Sequence, residues 1–215
     1  MNRRKLIKAQ EQFFKRYPGG FSNPQMLAVA KKHKLEKMCK LAQESFAIEQ
    51  FQNPAQIVDS MHKIVSQSSL ISLFEKPKFR DFVKALSEDE KEFLSNGLKE
   101  FLYGNQEDGF ERMVDLLKAY RLAKWPLITV FPAYFRPTVE VFVKPTTAKG
   151  IIAYFELEGL QYRSNPTYEF YQSYRDQINQ MKREVDPSLQ FENAAFCGFL
   201  MMCMENNTEQ NKGEK

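Results

Sequence analysis

The side chains with the most chemical potential are basic, and they come early. Residues 1–40 hold eleven lysines and arginines against Glu11 and Glu36, whereas the rest of the chain holds 20 basic and 25 acidic side chains. A field this lopsided draws polyanions, and every phosphate it neutralises adds salt dependence through counterion release. Arg3, Arg4, Lys5 and Lys8, with Lys31, Lys32, Lys34 and Lys37, are the expected contacts to nucleic acid or another polyanion. The same residues also suit a solvated helix face, on which Glu36 and Lys40 make an ordinary i,i+4 pair.

Two further groups bear on the same chemistry. Lys144-Pro145-Thr146-Thr147-Ala148-Lys149 reads as a helix start, where a threonine can cap and free N–H groups with Lys144 and Lys149 suit a phosphate. It lacks the glycine-rich cradle of a P-loop. Downstream, Tyr162, Tyr168 and Tyr171 with Arg163 have the residue types that stack on unpaired bases and hold phosphates. Tyr171, Tyr174, Ile178 and Met181 are also spaced as a helical core stripe, which would bury those rings.

Catalytic signatures are missing: there is no G-x-S-x-G, H-E-x-x-H, G-x-G-x-x-G or EF-hand spacing. Glu140 and Lys144 are four apart, where the restriction-type nuclease motif has two. Glu156 and Glu158, read as helical, point apart. His33 and His62 are the only histidines, and Cys39, Cys197 and Cys203 form no C-x-x-C. No catalytic residue, metal site or cofactor is expected. A proline-broken apolar stretch, a short extended piece and then a Pro-Thr helix start resemble, in outline, the helical domains of some DNA-repair glycosylases. The glycine-rich helix–hairpin–helix turn and the aspartate that follows it are absent, which leaves base excision without a site.

The elements that must position these residues are helical by period. Leu6, Ala9, Phe13 and Tyr17 fall at helical spacing, and Pro18-Gly19-Gly20 stops them. Asn23-Pro24 and Asn53-Pro54 are start signals, Ser87 with Glu90 is a capping box, and His33-Lys34 is a plausible break in a long face. Pro126, Pro132, Pro137 and Pro145 argue against a long helix between Trp125 and Pro145. There Val139-Glu140-Val141-Phe142-Val143 reads as the best strand segment; isolated, it is either an extended connector or half of a small hairpin. Helices resume at 146–157, 167–185 and 192–204.

The expected fold is therefore mainly α, an irregular multi-helix globule with at most one short strand or hairpin near 139–143. The expected organisation is one compact domain over 1–204, with a basic lobe (1–124), an aromatic-rich lobe (125–204) and a disordered tail at 205–215. Few cysteines, no secretory apolar stretch after Met1 and no apolar run of about 20 residues point to a cytoplasmic protein with no membrane association. The functional expectation is a non-catalytic module binding nucleic acid or another polyanion. Its rival is a protein-interaction or scaffold module, such as a homodimer, that uses an apolar helix face.

Overall fold

The computed structural model of the chain describes residues 1–213, with side chains described as far as Met204. Among the described residues are eleven α-helices, three short 3-10 turns and no strand. The helices are α1 (Arg3–Arg16), α2 (Pro24–His33), α3 (Leu35–Ser45), α4 (Pro54–Gln67), α5 (Glu75–Ala85) and α6 (Glu88–Tyr103), followed by α7 (Gln106–Ala119), α8 (Trp125–Phe135), α9 (Pro145–Tyr154), α10 (Tyr168–Arg183) and α11 (Asn193–Gly213). The fold is all-α.

Local chemistry sets most of the boundaries. Asn23 Oδ1 accepts the Gln25 N–H and Asn53 Oδ1 accepts the Gln56 N–H, each with proline at the first helical position. At α6 the Glu90 N–H donates to Ser87 Oγ, and the Ser87 N–H donates back to Glu90 Oε2 at 2.9 Å. Burial is slight there, yet these bonds and one from Tyr120 hold the Glu90 carboxyl below its ordinary range. Lys34 takes a left-handed conformation (φ 52°), which divides α2 from α3 and makes an elbow.

Apolar periodicity then assembles the helices. Buried side chains from Leu6 to Cys203 form one cluster, with aromatic rings meeting edge-on through much of it. α6 and α7 fold back on each other so closely that a Cβ on Gly109 would strike the Phe101 backbone. α8 crosses α3 and α4, and its residues from Trp125 to Tyr134 are all buried. α1 seats Leu6, Ala9 and Phe13 against α11, where Phe13 meets Phe199 with ring centroids 5.0 Å apart.

Two expectations are met and two change. Val139 closes a turn on the Arg136 carbonyl, and 140–143 form a connector with no strand among the described residues: the Val143 N–H goes to Thr129 Oγ1, and the Val139 and Glu140 carbonyls accept from Asn193 Nδ2. No helix runs from Trp125 to Pro145: α8 stops at Phe135, with Pro126 in its first turn and only Pro132 interior. α9 ends at Tyr154, so Glu156 (φ 54°) sits in a turn and not on a helix. Finally, α11 continues as backbone helix to Gly213 through most of the segment expected to be a disordered tail; residues 214–215 lie outside the described residues.

Candidate functional site

The early basic residues divide into two groups. The first, on α1, is drawn toward acids of later elements. Arg3 pairs with Glu184 at 3.1 Å and Lys5 with Glu156 at 2.7 Å. Asn2 adds a hydrogen bond to Glu156 and a backbone bond to the Phe155 carbonyl. Hydrogen bonds from Lys5 and Asn2 hold the Glu156 carboxyl below its ordinary range. Arg4 and Lys8 are exposed on the same helix. Half of the anticipated α1 contacts are thus already neutralised within the molecule.

The second group surrounds the elbow. Lys31, Lys32, Lys34 and Lys37 are all exposed, and none forms an ion pair with a described residue. The left-handed Lys34 brings the end of α2 and the start of α3 together, so these four lysines share one corner. Its base is fixed by His33, whose Nδ1 lies 2.9 Å from Ser69 Oγ at the end of α4. Glu36 is the one acid in this run.

The secondary groups are less favourable. Lys144 and Thr146 are exposed at the start of α9, but neither threonine caps it: Thr147 Oγ1 donates to Met201 Sδ at 3.8 Å, and no side chain bonds the first N–H groups. Lys149 lies over the Tyr162 ring at 4.8 Å. Of the stacking residues, Tyr168 and Tyr171 are core residues and cannot meet a base without unfolding. Tyr162 is half-buried and Arg163 is exposed, its carbonyl accepting from Trp125 Nε1.

A buried charge cluster among the described residues was not legible in advance. Glu140, 1% exposed, receives Arg136 Nη2 at 2.9 Å, Arg175 Nη1 at 3.1 Å, Gln106 Nε2 at 3.0 Å and Tyr171 Oη at 2.8 Å. Burial, and then the Glu140 charge, push the Tyr171 phenol well above its ordinary range. A cleft of about 380 Å³ opens beside them, edged by Tyr103, Asp176 and Asn179. Behind it, Lys182 Nζ donates to the carbonyls of Thr138 and Phe191 and to Asn193 Oδ1. Every carboxylate oxygen of Glu140 is engaged within the protein, so the cluster is a clasp joining α7, α8 and α10 and leaves no free base. Glu140 and Lys144 do not come together as an acid–lysine pair: Glu140 is buried in the clasp and Lys144 is exposed.

No group of His, Cys, Asp or Glu among the described residues could hold a metal ion. The three cysteines are buried thiols, and no described helix is long and apolar enough to cross a membrane.

A second unanticipated feature lies next to the elbow. Between α4 and α5 the chain turns so that Ile71 is buried while Leu73 and Phe74 are 79% and 84% exposed. Ser72 shapes this turn, its Oγ accepting the Phe74 N–H and its carbonyl accepting from Glu75 and Lys76. The serines at 66, 68, 69 and 72, followed by Pro77, mark a loop in the sequence, although nothing there says that its apolar residues face water.

Compared with protein-family models, curated proteins and solved structures, the chain has no match.

Proposed function

We propose that the protein is a non-catalytic module that binds a polyanion, nucleic acid or another, through the lysines of the α2–α3 elbow. One observation carries this reading: Lys31, Lys32, Lys34 and Lys37 stand exposed at one corner with no ion pair among the described residues. Such ammonium groups exchange mobile counterions for phosphates at little desolvation cost. Arg3 and Lys5 drop to a minor role because Glu184 and Glu156 already hold them.

Titration of a nucleic-acid duplex across a salt series tests the proposal. Apparent affinity is expected to fall linearly on logarithmic axes, with a slope of roughly −0.9 per phosphate neutralised. The triple variant Lys31→Glu, Lys32→Glu, Lys34→Glu should flatten that slope, whereas Arg3→Ala should barely change it. Binding indifferent to salt, or unchanged in the triple variant, overturns the reading.

The rival reading, a protein-interaction module or homodimer, draws on the exposed Leu73 and Phe74. The Met-rich helix α11 offers it less, since Phe196, Phe199, Leu200 and Cys203 are buried in the core. Light scattering over a dilution series would expose a dimer.

A further inference from the structure

We infer that the polyanion served by the elbow is an anionic lipid surface, with Leu73 and Phe74 entering the headgroup layer and the lysines contacting the lipid phosphates. The inference rests on the elbow reading and adds a partner to it.

Three observations favour lipid over nucleic acid. The first is the tip itself. Two adjacent bulky apolar side chains stand almost wholly in water, while the neighbouring Ile71 is 4% exposed and anchors the turn. An exposed pair of this kind calls for an apolar environment, which the outside of a duplex does not provide and the acyl boundary of a bilayer does. A phenylalanine alone could stack on a base; a leucine cannot.

The second is charge around the tip. Lys76 and Lys78 follow immediately on α5, and Lys76 Nζ reaches back to the Ser66 carbonyl at 2.9 Å. Of the acids on this element, Glu75 pairs with Lys124 and Asp81 with Arg80. The elbow lysines are close, because His33 touches Ser69, and the five steps along the chain from Ser69 to Phe74 span at most about 18 Å. Basic residues around an apolar tip match the negative potential of an anionic leaflet, which acts within a Debye length.

The third is α2. It buries only Met26, leaving Leu27 exposed one turn before Lys31 on the same face. An apolar residue followed by lysines is the pattern of a helix that lies in an interface. Crossing a bilayer would need a long apolar helix, and none is described; resting on one needs only this corner.

The test uses the full chain with vesicles of phosphatidylcholine, with and without phosphatidylserine, and a nucleic-acid duplex as a parallel arm. Co-sedimentation should occur with the phosphatidylserine vesicles and weaken with salt. Phe74→Ser should lower the partition coefficient about tenfold or more, because it removes most of a phenylalanine's apolar burial. Its thermal melt should match wild type, since the side chain touches little of the core. Phe74→Trp should keep binding and shift its emission to the blue on those vesicles, over a constant background from the buried Trp125. The lipid assignment falls, and the elbow reading stands, if the duplex binds in a way the lysine triple variant abolishes while vesicles are ignored. It also falls if Phe74→Ser leaves vesicle binding unchanged, or dissolves a dimer that does not bind vesicles. Both fall if neither polyanion binds or the triple variant binds both as wild type does.

Discussion

Glu140 shows what a single buried carboxylate does in this molecule. Two guanidiniums, an amide and a phenol converge on it, and removing it would leave Arg175, 11% exposed, with no carboxylate except its neighbour Asp176. Breaking one side of a buried pair costs far more than the pair contributes net. Glu140→Ala is therefore expected to lower unfolding free energy by about 3–5 kcal/mol in urea titrations. Glu140→Gln should cost less, because the amide oxygen still accepts. The thiols give a second prediction. Burial raises Cys39 to about 11, and Cys197 and Cys203 to about 12, from an ordinary value of 9.0. All three should resist a thiol reagent at neutral pH and react after denaturation. The sign of the pH dependence follows. Above pH 9.0 the unfolded chain loses these protons while the folded chain keeps them, so stability falls as pH rises toward the folded values. The urea midpoint at pH 10 should lie below that at pH 8.

Among the elements, the α6–α7 pair is the most sensitive. Gly109 allows the two backbones to touch, and an added Cβ would meet the Gly97 carbonyl at 2.6 Å as well as the Phe101 amide. Backbone cannot yield as a side-chain tip does, so Gly109→Ala should destabilise by about 1–3 kcal/mol or more by thermal melt. Gly159→Ala meets no neighbour, and it tests only the left-handed backbone (φ 75°). Helix starts were legible in the sequence because their chemistry is local: Asn23-Pro24, Asn53-Pro54 and Ser87 through Glu90 carry their own caps. The segment 139–143 stayed open between connector and half-hairpin because alternating valines fit a strand, whereas its hydrogen-bond partners, Thr129, Asn179 and Asn193, belong to helices up to 54 residues away. α8 was hidden for a similar reason. Its prolines count against a helix in isolation, and the surrounding core outweighs them.

At the scale of the molecule, the composition located the positive charge but not its neighbours. The surplus in residues 1–40 is real, yet packing assigns Arg3 and Lys5 to acids more than 150 residues away and leaves the elbow lysines without an acid partner among the described residues. Long-range pairing of that kind leaves no mark in a local window. The aromatic segment carried both outcomes at once, since the helical spacing that buries Tyr171 also displays residues on the opposite face.

The seating of α1 on α11 has a bearing on synthesis. Leu6, Ala9 and Phe13 leave the ribosome well over a hundred residues before Phe199 and Cys203, which cover them. For most of that interval a greasy stripe must be sheltered by a chaperone or by a provisional contact. A nascent chain stalled before Asn193 should therefore be digested rapidly within α1 by a protease in pulse experiments, and a chain extended through α11 should resist.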